Sequence, residues 1–498
     1  MKIDRLPPVT FTLLPNNHPY LNGAWTPLRE EVTVDELTVI DGEIPADLDG
    51  VYLRNTENQI HQPLGRYHPF DGDGMVHLID FKDGKASYRN RFVRTRGFEA
   101  EQEAGGSLWG GLADPVELGK RPGFGAHGAL KDSSSTDIVV HAGRALSTFY
   151  QCGEGYRLDP LTLEQFGQER WTPIDGISAH PKVDENTGEL LFFNYSKHAP
   201  YLHLGEVSAD NRLIRYTPVP TPGPRLPHDM AFTENYAILN DMPVFWDPRL
   251  LERQVHAVRL HAGIPSRFAI VPRHGGAEEI RWFEAAPTYV LHWLNAYEDG
   301  DEIVLDGYFQ ENPTPGPRQD APTGFEHMMA FLDQQSFRPK LHRWRFNLKD
   351  GTTTEAHLDD RIMEFGMFNQ RYAGHKYRYV YSTVTEPGWF LFTGVVKTDL
   401  ESGATTEFHL PPGQYASETP FAPRRDAVAE DDGYLLSFIT DEAGGSSYCA
   451  ILDARRIEDG PICRIALPHK LCSGTHSCWA DRRFIRDGAL GPLPQFAP

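Results

Sequence analysis

The sequence predicts an all-β fold built as a β-propeller, and three observations predict it. Apolar runs are short and are broken by Gly, Asp or Asn, with few stretches at helical period. Small-residue turns recur at Lys82-Asp83-Gly84, His141-Ala142-Gly143, Asn186-Thr187-Gly188, Lys349-Asp350-Gly351, Glu401-Ser402-Gly403 and Glu458-Asp459-Gly460. Within the series Gly84, Gly143, Gly188 and again within Gly351, Gly403, Gly460, neighbouring glycines stand 45 to 59 residues apart, about the length of one four-stranded blade. Finally, three predicted hairpins carry a histidine at the same place. His180, His228 and His292 each precede a turn (Gly188, Asn235 and Gly300) by seven or eight residues, and a second apolar run follows. A pair of β-sandwiches would also give frequent turns. Three equivalent histidines aimed at one point are better explained by a radial repeat, whose inner strands line the axis.

Taken in order, residues 1–35 are Pro-rich and are expected to form an irregular arm over the surface. The run-and-turn pattern begins at Val32. Residues 97–134, rich in Gly, Ala and Glu, and 309–330, with Asn312-Pro313-Thr314-Pro315-Gly316-Pro317, interrupt it. Both are expected to be insertions that cap a central site or lie on the surface. No linker divides the chain, so one domain over 1–498 is expected.

At 498 residues, 40% hydrophobic and 23% charged, the chain has the composition of a globular protein with a large core. A net charge of −21 argues against a nucleic-acid partner, which requires a basic face. Five cysteines with no C-x-x-C pair, and no charged-then-apolar leader, point to a reducing cytoplasm. No run approaches the roughly 20 apolar residues of a spanning helix. Peripheral membrane contact, which needs only a short apolar patch, stays open.

Most of the 21 histidines need no special role. Any one of His180, His228 or His292 alone would read as a core histidine; the equivalence of their hairpins makes them candidate metal ligands. His476, in Gly474-Thr475-His476, is the best candidate for a fourth, although no matching hairpin surrounds it. A local zinc site of Cys472, His476 and Cys478 is a weaker reading, because structural zinc takes four ligands. Four neutral imidazoles leave a metal its full charge and, in octahedral geometry, two open positions. Imidazole suits iron, copper or zinc, and two open positions suit a redox metal that holds dioxygen beside a substrate. Hydrolase and NTPase motifs are missing: H-E-x-x-H, G-x-S-x-G and a G-K-[ST] loop do not occur.

With these histidines placed, nearly the whole chain resembles the carotenoid cleavage oxygenase family, which includes lignostilbene-type dioxygenases. The resemblance rests on the run from Asp41 to Asn55, Phe70-Asp71-Gly72-Asp73-Gly74-Met75, Ala179-His180-Pro181-Lys182, Pro227-His228-Asp229, Leu291-His292-Trp293-Leu294-Asn295-Ala296-Tyr297-Glu298 and Ser417-Glu418-Thr419-Pro420. It implies a seven-bladed propeller, a dome of loops and helices, and an axial iron(II), Fe(2+), held by His180, His228, His292 and His476. It also implies that Glu364 and Glu418 orient two of those rings. A third orienting glutamate is replaced by Gln151, with Glu154 nearby but out of register. Thr136 matches a position beside the open iron site. Phe92 and Tyr150 fall where stilbene cleavers carry tyrosine and lysine, so a grip on a phenol looks weakened. An apolar tunnel walled partly by Phe92, Tyr150 and Trp293 is therefore expected.

The expected function is oxidative cleavage by O₂ of a C=C bond in a hydrophobic, carotenoid- or apocarotenoid-like substrate, giving two carbonyl products. The alternatives are cleavage of a phenylpropenoid or stilbene side chain, metal-assisted isomerisation without O₂, and a non-catalytic propeller that binds a pigment or a protein.

Overall fold

The computed structural model describes residues 1–112, 114–122, 131–171, 176–251 and 258–488. Seven antiparallel sheets stand around one axis as blades. Blade 1 holds Gly50–Asn58, Asp73–Lys82 and Lys85–Phe92, and blade 2 holds Asp137–His141, Arg144–Thr148, Gly155–Leu158 and Gln165–Glu169. Blade 3 is Lys182–Val183, Leu190–Tyr195, Leu202–Val207 and Leu213–Pro218. Blade 4 is Ala231–Phe232, Tyr236–Asp241, Ser266–Pro272 and Arg281–Ala285. Blade 5 begins with Trp293–Asp299, Glu302–Gln310 and Pro339–Asn347. The long strand Thr353–Met367 then pairs through its first part with Pro339–Asn347 and through its last residues with Tyr379–Thr385. It thus closes blade 5 and opens blade 6, which continues with Phe392–Asp399 and Thr405–His409. Blade 7 is Phe421–Pro423, Gly433–Asp441, Ser446–Asp453 and Pro461–Ala466.

Both ends of the chain close the ring. Val39–Gly42 adds the outermost strand of blade 7, and Ser477–Asp481 adds the innermost strand of blade 1, in register from Ser477 opposite Arg54 to Asp481 opposite Gly50.

Alternation along each strand feeds the two seams beside it. In Leu190–Tyr195, Leu190 and Phe192 pack toward blade 2 with Leu146, while Leu191 and Phe193 pack toward blade 4 with Leu239 and Val271. The same division sends Val51 and Leu53 to Ile138 and Val140, and Tyr52 to Leu436 and Phe438. Middle strands buried on both faces are the consequence, and the core lies in the seams.

The turn glycines Gly84, Gly143, Gly188, Gly351, Gly403 and Gly460 all have φ between 70° and 79°, a region open to glycine at no steric cost. By the strand order these turns share the face away from the histidines. The long connections lie on the histidine face. They include the helix Arg96–Ala104 and, between the second and third strands of blade 5, the helices Glu326–Ala330 and Gln334–Phe337. The two sequence interruptions fall in these connections, though Phe309 and Gln310 belong to a strand. Residues 113 and 123–130 of the first interruption lie outside the described residues.

The N-terminal arm is largely irregular, with a few ordered segments. Asp4–Arg5 and Val32–Val34 extend blade 1 as strands, and Tyr20, Leu21, Ala24 and Trp25 are buried. Tyr20 and Trp25 pack on Phe390 and its neighbours in blade 6. These apolar side chains follow no period, so their burial is decided by partners far along the chain. No helix among the described residues is long and apolar enough to cross a membrane, and the five cysteines are free.

Candidate metal centre

Each candidate histidine stands at the head of an inner strand. His180 precedes Lys182–Val183, His228 precedes Ala231–Phe232, His292 precedes Trp293–Asp299 and His476 precedes Ser477–Asp481. Thr136 holds the same place in blade 2. Glu364 lies at the crossover into blade 6, and Glu418 precedes Phe421–Pro423 in blade 7. The ring therefore offers the axis four imidazoles, one hydroxyl and two carboxylates.

One ligand atom from each of the four histidines lies within 4.8 Å of those of the others. Ring centroids of neighbouring pairs are 4.4–5.3 Å apart, and the Nε2 atoms of His180 and His228 are 3.2 Å apart. His292 Nε2 is buried with no hydrogen-bond partner. A buried polar atom without a partner costs about 1–3 kcal/mol, and imidazole lone pairs that converge repel one another. An electron-poor centre among them removes both costs, so the donor set fits a divalent metal. The cysteines do not join it. Cys472 donates to the carbonyls of Trp25 and Glu57, and the four histidines form the only such cluster among the described residues.

Electrostatics favour the neutral, ligating form for three of the four histidines. Burial pushes His180, His228 and His292 well below the ordinary imidazole value, and the neighbouring imidazoles add to this. For His476, burial also lowers the value, but Glu418, Asp137 and Asp229 together lift it above 6.5.

Carboxylates fix two rings. Glu364 Oε2 accepts from His292 Nδ1 and from the Phe365 amide, both at 2.7 Å. Glu418 Oε1 lies 3.1 Å from His476 Nδ1, and its Oε2 accepts the Ser477 amide at 2.6 Å. Each Nδ1 is thereby the protonated nitrogen, which leaves Nε2 free to ligate.

The other two histidines are held differently. His180 adopts φ 65°, a conformation uncommon for a residue with a Cβ. Its amide donates to Asp137 Oδ2 at 3.1 Å, whereas its Nδ1 is 3.7 Å from that oxygen. No carboxylate pairs with the His228 ring among the described residues. The Gln151 side chain lies beside the Tyr150 phenol. Glu154 is committed to Arg96 and the Tyr156 hydroxyl, so it is no substitute. Beside these histidines stand two oppositely charged residues, Lys182 and Asp229. Lys182 Nζ is 2.7 Å from Asp229 Oδ1, and Asp229 Oδ2 accepts the Trp293 amide at 2.8 Å.

Thr136 accepts the Tyr150 amide on Oγ1 at 3.3 Å, and its carbonyl accepts from Thr475 Oγ1 at 2.7 Å. The Tyr150 ring lies 6.0 Å from that of His228 and 6.1 Å from Phe70. Phe365 covers His292 and His476 at 4.4 and 4.9 Å, backed by Phe390 and Phe392. A cavity of about 150 Å³ runs along the axis toward the turn face, walled by His180, Lys182, Asp229, His292 and His476 among others. Trp293 borders it, while its ring packs in the seam against Phe268 and Trp344. Phe92 is not brought to this centre. It is fully buried with Ile60 and Met75 and stacks on Phe98, because its strand ends on the outer side of blade 1.

Residues 25–481 match the retinal pigment epithelial membrane protein family. The chain belongs to this family, the carotenoid cleavage oxygenases. It is 32% identical over 511 residues to carotenoid 9,10(9',10')-cleavage dioxygenase 1 of Pisum sativum, covering 95% of this chain and 92% of that one. It is also 32% identical over 502 residues to lignostilbene-alpha,beta-dioxygenase isozyme III of Sphingomonas paucimobilis, covering 93% and 96%. The crystal structure of Pseudomonas brassicacearum lignostilbene dioxygenase is similar with a TM-score of 0.81 at 26% identity, covering 95% of this chain and 99% of that one. The chain is thus an oxygenase-type dioxygenase, and its likeness to C=C-cleaving enzymes sets aside the non-catalytic propeller.

Proposed function

We propose that the chain is a non-haem iron(II) dioxygenase that cleaves a C=C bond of a conjugated, apolar, apocarotenoid-like substrate into two carbonyl products. The observation that carries this reading is the convergent four-histidine cluster with its ring-orienting glutamates. His180, His228, His292 and His476 would hold the iron, which when bound supplies the redox chemistry that O₂ requires. Glu364 and Glu418 hold the protons on Nδ1 of two ligands. Phe365, Phe390 and Phe392 present an aromatic wall beside the ligands and keep that side dry. Affinity for a polyene comes from buried apolar surface, about 25 cal/mol per Å², and such a wall provides it.

A phenolic substrate needs a polar anchor as well. Lys182, the cation that borders the axial cavity, is engaged by Asp229. Tyr150 remains as a neutral hydroxyl whose ionisation is opposed by burial and by Asp71. The phenylpropenoid or stilbene reading is favoured by one observation, the placing of Tyr150 beside His228. A side-by-side assay in air, followed by mass spectrometry, tests the choice. Faster cleavage of an apocarotenoid than of a 4-hydroxystilbene is expected. Efficient attack on the stilbene with none on any apocarotenoid overturns the substrate class.

A further inference from the structure

Two ligands lack a carboxylate hydrogen-bonded at Nδ1, yet the site is built around all four. What fixes His180 and His228? The inner strands that carry them are only two residues long, so ladder hydrogen bonds alone hold them weakly. Between these strands lies an ion pair whose carboxylate is buried and whose lysine is partly exposed. Lys182 is two residues beyond His180, and Asp229 directly follows His228. Their Nζ–Oδ1 distance is 2.7 Å, with side-chain exposures of 24% and 1%. The same carboxylate accepts its own strand's Met230 amide at 2.7 Å on Oδ1 and the Trp293 amide at 2.8 Å on Oδ2. Trp293 directly follows His292. One carboxylate therefore ties together the strand heads of blades 3, 4 and 5, and with them His180, His228 and His292.

Asp137, which follows Thr136 in blade 2, reaches across to the His180 amide in the same way but has no cation. Both carboxylates border the axial cavity beside the histidines. A free carboxylate there would compete for a divalent ion. Asp229 is occupied on both oxygens.

We infer that the Lys182–Asp229 ion pair is the positioning device for His180 and His228. It does through the backbone what Glu364 and Glu418 do through the rings of His292 and His476, and it keeps Asp229 out of the ligand set. The inference rests on the proposed metal site. The buried pair of Arg273 with Asp184 provides the control, since it crosses the same seam between blades 3 and 4 (3.0 Å, exposures 4% and 5%) and does not border the axial cavity.

The experiment measures cobalt(II) affinity by chelator competition, together with the visible cobalt spectrum, for the full chain and for Lys182→Met, Lys182→Arg, Asp229→Asn, the Lys182→Met/Asp229→Asn pair and Arg273→Met. Thermal unfolding of the metal-free proteins is recorded alongside. Lys182→Met and Asp229→Asn are each expected to weaken cobalt by about 10- to 100-fold, the usual cost of losing a group that orients a ligand, and to change the spectrum. The double variant should lose no more than the worse single one, because the two act as a unit. Lys182→Arg should recover most of the affinity. Arg273→Met should lower the unfolding temperature and leave affinity and spectrum unchanged. Unchanged cobalt binding in Asp229→Asn, or equal losses in Lys182→Met and Arg273→Met, would overturn the inference. Failure of the unaltered protein to bind cobalt would instead overturn the metal site itself.

Discussion

Removing the Glu364 carboxylate offers a graded test of how the ligands are held. Its side chain is fully buried, and a single oxygen, Oε2, accepts both the His292 Nδ1 proton and the Phe365 amide at 2.7 Å. The second oxygen makes no hydrogen bond. Glu364→Ala strands two donors in a dry site and releases the ring. Burial raises the Glu364 carboxyl to about 8 in the metal-free protein, but beside a bound divalent ion it is ionised. A hydrogen bond to an ionised group contributes about 1.5–3 kcal/mol, which in a binding constant is about 10- to 150-fold. With two donors orphaned, iron affinity should fall toward the upper end, about 100-fold. Glu364→Gln behaves differently, because its carbonyl can replace Oε2 for both donors and its amide falls where the idle Oε1 was. Only the charge is lost, and a drop of about 10-fold or less is expected. Chelator competition at neutral pH on iron(II)-loaded protein, kept anaerobic, reads both values. Equal losses in the two variants, or no loss in Glu364→Ala, would refute the argument from hydrogen-bond geometry.

Alanine at His180, His228, His292 or His476 should abolish stoichiometric iron binding, and full iron by metal analysis in any one variant removes that residue from the site. Gln151→Glu should be tolerated and should bind iron as tightly as the parent or better, since the resemblance implies an orienting glutamate at this position. Loss of iron in both Gln151→Glu and Glu154→Ala would show the register to be wrong. Burial, against the Thr475 hydrogen bond, pushes the Glu57 carboxyl from 4.5 up to about 8. The folded protein then keeps a proton that the unfolded chain releases, so stability is lost as pH rises from 4.5 through about 8, by up to about 1.4 kcal/mol per pH unit. In urea unfolding of metal-free protein, Glu57→Gln should flatten that slope; an identical pH dependence in both proteins counts against it.

What could be read in the sequence follows from how local each feature is. His180, His228 and His292 are legible because each precedes a short inner strand and then a tight turn, a pattern contained in about a dozen residues. His476 occupies the same structural place, but its strand pairs with Gly50–Asn58 from the other end of the chain, so no hairpin marks it. It stood as the weaker candidate until the family resemblance supported it, and the resemblance alone supplied Glu364 and Glu418. Lys182 and Asp229 stood in plain sight as opposite charges just beyond two ligands. Their partnership crosses a seam between blades, which no local pattern encodes. Tyr20 and Trp25 were missed for the same reason, and Phe92 packs on Phe98 in blade 1, a contact that a matched position does not reveal.

The most direct test of the central claim is product analysis of the iron-loaded protein with an apocarotenoid, under air and under nitrogen, by mass spectrometry. The account predicts two carbonyl fragments in air, which together contain the whole carbon skeleton, and intact substrate under nitrogen. Intact substrate in air, or the same isomerised product under both gases, would contradict it.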